Sequence, residues 1–557
     1  MKNETRGLNP DAIWKKHCAA VDFNIGINLY DNVQVNENFY IGKQWEGVKS
    51  NGLPTPVFNF LKRVTLFSVS SVSTDNLKLH ASPLNSTGDN GSGELEIITD
   101  ILNSQFAQLF EFNRIGTLIR EFARNSAVDG DGATYTYWDE MAETGQKSKG
   151  AIKTEILMNT QVEVANPNSR DLQGQNYIII SRRMLVQDAR KRAKKNGITE
   201  EEIALILPDD KTAGDTNLDA LGGDKVTVLL YLWRDEETGT VHAYESTQKA
   251  TVRPAWDLGV KLYPVTWMCW DYVQDCYHGQ ALISGLVPNQ IFVNRLFAMS
   301  MISMTTTAYP KIIYDKTRIR HWDNRVGAAI PVTGGDITNA AKIMDPASIS
   351  PQISQFIDLA IQYTQKFLGA SDVALGDTRP DNTSAIIALQ RASSVPMELT
   401  KQNLLQSVED LGRIYLDFMQ EYYGTRMVEI HNPMGGVDLV PFDFGNLKKI
   451  PMSINLDVGA SSYWSEIANQ QTLDNLLINR MIPVTEYLKR LPSGTITDRE
   501  ALIDALEREQ QAQSGGAGVM NGEQLVDNGQ PPEIEGGAGN CELQRKINQE
   551  GVNLNGN

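Results

Sequence analysis

The residues with the clearest chemical potential are Asp275-Cys276-Tyr277-His278, which set a thiol two positions from an imidazole. A cysteine nucleophile needs a base within hydrogen-bond reach, and residues this close in sequence rarely achieve that geometry. A structural role is therefore the leading reading. A nuclease or transferase built around Cys276 and His278 is the rival. Asp443-Phe444-Gly445 mimics a kinase triplet without a glycine-rich loop or catalytic loop to accompany it, and reads as a turn. No GxxxxGK(S/T), HExxH or GxSxG motif occurs. The basic run Arg182-Arg183 to Arg190-Lys191-Arg192-Ala193-Lys194-Lys195 has the charge to draw phosphates, but reads first as a solvated helix face. Cys18, Cys269, Cys276 and Cys541 are scattered and form no CxxC or Cys/His ligand cluster. No metal and no cofactor is expected, and such sparse thiols suit a reducing cytosol.

The elements that would position these groups follow from periodicity. Residues 10–80 read as largely helical, 81–93 as a polar loop, and Leu95–Val128 as one long amphipathic helix. Strands are expected at Ala133–Trp138, Ile152–Met158, Val162–Val164, Tyr177–Ile180, Lys225–Trp233, Val241–Tyr244 and Pro264–Met268. A basic helix over Met184–Lys195 and a loop over 208–224 interrupt them. An apolar run from Ala281 to Met304 then gives way to a strand at Lys311–Tyr314 and a turn-rich stretch containing Pro331–Asp336. Helical spacing returns at Ile353, Phe356, Ile357, Ala360 and Ile361. The polar loop Gly369–Asn382 has Arg379 as its one cation. It reads either as an ordinary connector or as a loop that touches a moving polyanion lightly. Beyond it, Leu404, Val408, Leu411, Tyr415, Phe418 and Tyr422 step by fours and threes and make one apolar seam. Pro396 either kinks a single long helix or separates two helices. Short strands at Met427–Ile430, Val437–Val440 and Met452–Val458 precede helical stretches at Ser461–Arg490 and Thr495–Gln511. From Ser514 onward apolar residues are too scarce for a core, and disorder is expected.

The chain has 557 residues, enough for two to four domains, and 41% hydrophobic content, enough for a real core. Its net charge of −17 argues against wrapping nucleic acid by phosphate neutralisation. Asn289, Gln290, Asn294 and Arg295 in the apolar run argue against a membrane span. The polar N-terminus lacks a signal core. The fold class expected is α+β.

Three stretches carry a family resemblance. Asn38-Phe39-Tyr40-Ile41-Gly42-Lys43-Gln44-Trp45-Glu46-Gly47, followed by Asn51-Gly52-Leu53-Pro54-Thr55-Pro56-Val57-Phe58-Asn59, is the first. Gly279-Gln280-Ala281 leading to Pro288-Asn289-Gln290 and Asn294 is the second. The loop Gly376–Asn382 before a proline-interrupted helix is the third. With the order of segments, they make residues 1–510 resemble a tailed-bacteriophage portal protein, the head-to-tail connector. The resemblance implies a wing at 1–278, a first stem helix at 279–309, a clip at 310–350 and a second stem helix at 351–369. It implies a tunnel loop at 370–382, a kinked helix with return wing strands at 383–457 and a helical crown at 458–512. The tail at 513–557 has no counterpart. Asp372, Asp377, Thr378, Arg379, Asp381 and Asn382 would line a DNA channel, Pro396 would kink the long helix, and Tyr314, Arg318 and Asp336 would serve clip docking. The implied function is structural, not enzymatic: a ring of identical subunits, twelve by family analogy, at the virion's portal vertex. Such a ring is assembled in the host bacterial cytoplasm and passes double-stranded DNA non-specifically during packaging and ejection. The implied partners are the packaging terminase, a tail adaptor and the major capsid protein, with no membrane. A capsid-associated enzyme and a non-ring adaptor are the alternatives.

Overall fold

The computed structural model describes residues 8–50, 52–73, 77–83, 92–146, 149–209, 224–308, 312–323, 325, 328–335, 337–343, 352–367, 397–431, 437–450, 452–458, 473–479, 481–491, 502, 503 and 506. It is a mixed α+β protein that divides into two compact units, Met1–Ser465 and Glu466–Asn557.

The first unit opens with three helices: α1 (Pro10–Gly26), α2 (Leu29–Ile41) and α3 (Phe60–Val72). Asn9 starts α1 by accepting the Asp11 N–H, with Pro10 in the first turn where its missing N–H costs nothing. Strand β1 (Leu77–Pro83) follows, so the polar loop expected over 81–93 is strand in its first three residues. The single helix expected over Leu95–Val128 is two: α4 (Ser92–Phe112) and α5 (Ile115–Asp129). The break is built by Asn113. Its side-chain amide donates to the Leu109 and Ile152 carbonyls, and its oxygen accepts the Thr154 N–H. Arg114 then turns the chain through the left-handed region at φ 51°.

Two antiparallel sheets follow. One has the order β3-β2-β9, from Asp131–Asp139 (β2), Ala151–Leu157 (β3) and Val265–Cys269 (β9). The other runs β4-β5-β6-β7-β8, from Val162–Val164, Tyr177–Leu185, Lys225–Arg234, Val241–Ser246 and Thr251–Asp257. Between β5 and β6 lie α6 (Val186–Lys195) and the short α7 (Glu200–Ala204). Met184 and Leu185 end β5 rather than beginning the basic helix.

Helix α8 (Val287–Ala308) begins after a 3-10 turn at Ile283–Gly285, not at Gly279, and Pro288 falls in its first turn. The two-stranded β10–β11 ribbon (Ile312–Tyr314 with Ala341–Ile343) comes next in the chain, then α9 (Gln352–Phe367). Helix α10 (Glu398–Tyr422) carries the expected seam: Leu404, Val408, Leu411, Tyr415 and Phe418 are buried. Strands β12 (Thr425–His431) and β13 (Val437–Asp443) form a hairpin, and β14 (Met452–Val458) pairs antiparallel with β1. One continuous core runs from α3, α4 and α5 through β2, β3 and β9 to α10.

In the second unit residues 473–478 and Val484–Arg490 are helical. The expected helix over Ser461–Arg490 is therefore interrupted at residues 481–483, the last of which, Pro483, stands just before Val484. Leu488, Leu491 and Ile503 pack together there.

Candidate functional site

Two of the three stretches that carried the resemblance, 38–59 and 279–294, meet at the root of α8. Gln290 is fully buried; its Nε2 donates to the Phe58 carbonyl (2.7 Å) and its Oε1 accepts the Leu61 N–H (3.3 Å). Asn294, one turn on, donates to Gln44 Oε1 (2.6 Å) and accepts from Gln290 (3.0 Å). Gln44 in turn donates to the Phe39 carbonyl, and Trp45 Nε1 donates to the Pro56 carbonyl. Asn59 holds the Tyr40 carbonyl and caps α3 at Lys62. A loop without regular structure leaves backbone groups that must find partners. Here the side-chain amides of α8 supply them, and this fixes the helix to the loop. Phe58 stacks on Phe297 at 5.1 Å.

The two helices expected to stand side by side do so. Asn289, near the start of α8, donates to Thr364, near the end of α9 (3.2 Å). The pair is therefore antiparallel, and the β10–β11 ribbon lies between them in chain order. Ile357 buries against the same core as Val293 and Leu296. Both helices also expose large apolar side chains: Phe292, Met299, Met301 and Met304 on α8, and Phe356, Leu359 and Tyr363 on α9. On α9 these three step by three and four and so share one helical face.

On the ribbon, Ile312, Ile313, Tyr314 and Ile343 are all exposed. A two-stranded ribbon with neither face covered is marginal by itself. Tyr314 stacks on Trp322 at 5.3 Å. Arg318 lies in the turn after β10, where its carbonyl accepts the Thr333 N–H (2.9 Å). Asp336, the loop residues Asp372, Asp377, Thr378, Arg379, Asp381 and Asn382, and Pro396 lie outside the described residues.

The Cys276/His278 pairing does not make a nucleophile site. His278 is 3% exposed; its Nδ1 meets Asp131 Oδ2 at 2.7 Å and its Nε2 faces Asn24 Oδ1 at 3.2 Å. Both ring nitrogens are engaged away from the thiol. Burial raises the Cys276 pKa, against the pull of the His278 backbone N–H, and this disfavours a thiolate. The other oxygen of Asp131 accepts the Gly279 N–H at 2.6 Å, so the motif clamps the approach to α8. Most of the basic run is engaged within the chain: Arg182 pairs with Glu155, Arg183 with Asp209, Lys191 with Asp188, Arg192 with Glu245 and Lys194 with Glu200, and Arg190 donates to the Ile206 carbonyl. Asp443 begins a 3-10 turn by accepting the Gly445 N–H, and Phe444 is buried.

Sequence reasoning missed that α1 docks through a polar seam. His17 pairs with Glu163 at 2.7 Å, and Asn24 reaches His278. The signal was present as His17 and Asn24, seven positions apart and so on one helical face. Among the described residues no group of three potential metal ligands occurs, and no helix is long and apolar enough to cross a membrane.

Residues 255–460, which include α8, the ribbon, α9 and α10, match the family model described as Phage P22-like portal protein. No curated protein matches the chain.

Proposed function

We propose that this chain, whose residues 255–460 match a P22-like portal family model and so support a tailed-bacteriophage portal protein, is the repeating subunit of a ring at the capsid vertex. The ring is the conduit for double-stranded DNA in packaging and ejection. It is also the platform on which a packaging terminase and later a tail adaptor dock, within a shell of major capsid protein. The observation that carries this reading is the antiparallel α8–α9 pair, rooted in the body by buried amides, with the ribbon inserted between the two helices and an apolar face left open on both. A subunit that closes a ring must present a face complementary to a different face of its neighbour, and an uncovered helix pair is suited to that. On this reading α8 and α9 are the stem, the β10–β11 unit with Tyr314, Arg318 and Asp336 is the docking clip, and residues 370–382 line the bore. The regions 1–278 and 383–457 form the wing, and 458–512 the crown.

The charge supports a conduit. At −17 per subunit, a ring repels phosphate and lets a duplex slide rather than adhere. Electron microscopy of the purified protein tests the proposal: annular particles with an open centre are expected. Particles without a central opening at every concentration and salt would overturn it.

A further inference from the structure

Strand β8 carries a bulge that changes where its side chains go. Across the β7–β8 ladder Ala243 pairs with Trp256, while Glu245, two residues on, pairs with Arg253, three residues back. On a regular strand Arg253 and Trp256 would point to opposite faces. The extra residue turns both to the face that Glu245 shares, and the Arg253 guanidinium lies 3.7 Å from the centre of the Trp256 ring. Leu230 of β6, opposite Glu245, and Arg182 of β5 belong to the same face. This face lines a cleft of about 430 Å³, which Tyr137 of β2, Tyr422 of α10 and Arg192 of α6 also line.

The polar groups of the cleft are incompletely matched. Glu245 is 4% exposed; its Oε1 accepts from Arg192, and its Oε2 is buried without a hydrogen-bond partner among the described residues. Leaving a buried carboxylate oxygen unmatched costs more than an ordinary hydrogen bond contributes. Arg253, beside it, stacks on Trp256 but has no ion pair or hydrogen bond among the described residues. Arg182 pairs with Glu155, yet its Nε is also buried and unmatched. The lining charges cancel: Arg182, Arg192 and Arg253 against Glu140, Glu245 and Asp257. A balanced cleft selects no ion. It suits a neutral, flat ligand that accepts from a guanidinium, donates to a carboxylate and stacks on an aromatic ring. Guanine meets all these conditions. Its O6 and N7 are adjacent acceptors that match a guanidinium fork, and its N1–H and N2–H₂ are adjacent donors. Adenine sets its N6–H₂ donor where the fork needs an acceptor. Cross-strand partners stand about 5 Å apart at Cβ, so Arg253 and Glu245 are spaced to meet neighbouring edges of one ring.

We propose that this cleft binds a guanine ring, with the Arg253 guanidinium donating to O6 and N7, Glu245 Oε2 accepting from the N1–H and N2–H₂ edge, and the face of the ring against the aromatic lining. The inference stands apart from the ring reading above. Calorimetric titration of the full chain with guanosine, GMP and adenosine tests it. Guanosine is expected to saturate one site per chain, about tenfold tighter than adenosine or more. GMP is expected to bind more weakly than guanosine, because the exposed Glu140 and Asp257 repel its phosphate. Guanosine that does not bind up to its solubility limit, or that binds no tighter than adenosine, would overturn the proposal. So would GMP binding without guanosine binding, which would mark a phosphate site instead. Arg253→Met, at a half-buried position, is expected to weaken guanosine about tenfold or more while the thermal melt stays in place. Undiminished guanosine affinity in that variant would also refute the assignment.

Discussion

Asp129 ends α5, where burial pushes its carboxyl up to about 7, against the pull of Arg124 and with the repulsion of Glu37 and Asp131 behind it. In the unfolded chain the same group ionises near 4. The folded state therefore holds a proton that the unfolded state has released, and the stability this group contributes is complete below about 4 and is lost as pH rises through about 7. Asp129→Asn cannot ionise. Its melting temperature is expected to fall less than that of the parent between pH 5 and pH 8, which thermal melts across that window will show; parallel curves would count against the buried carboxyl. At this scale the sequence spoke clearly only where chemistry is local. That Cys276 and His278 are structural follows from their adjacency. That His278 is held by Asp131, far away in the chain, does not, because nothing in either neighbourhood announces the partner.

Backbone meets backbone closely where Gly130 and Gly279 face each other at the approach to α8. A Cβ on Gly279 would lie 2.7 Å from the Asp271 carbonyl oxygen and from Cys269 Cβ, and one on Gly130 would lie 2.7 Å from the Gly279 carbonyl oxygen. Backbone atoms cannot step aside as a side-chain tip can. Gly279→Ala is therefore expected to cost about 1–3 kcal/mol, read as a lowered urea midpoint with unchanged slope. Most elements with strong periodicity were legible: the α10 seam, the β5 and β6 strands and the return strands each lie where their apolar spacing put them. The failures share a cause. Strand β1 is specified by β14, its partner more than 350 positions away in sequence, and local pattern cannot show that. Strand β8 contains Pro254, which local rules demote, yet as the last strand of its sheet it tolerates the missing donor. The α4–α5 break depends on Asn113 finding Ile152 and Thr154 on β3, a tertiary bond overriding continuous helical periodicity.

For the whole molecule, the acidic surface and the proposed bore make a joint prediction. Removing residues 372–382 is expected to leave annular particles intact in micrographs while sharply reducing packaged DNA, measured per particle after nuclease treatment. Normal DNA content in such particles would remove the tunnel-loop assignment. The order of segments, rather than any one motif, suggested the proposed architecture, and two of the three stretches that suggested it converge physically on Gln44, Gln290 and Asn294. That convergence has a mechanical side. α8 has 22 residues, about 33 Å at about 1.5 Å per residue, and its buried amides grip it only near its first turns. It acts as a lever: a tilt of about 5° at the root displaces the far end by about 3 Å, comparable to a hydrogen-bond length. A load on the ribbon therefore has leverage over the glutamine and asparagine grip, and a disturbance in the α2–α3 loop reaches the far end magnified.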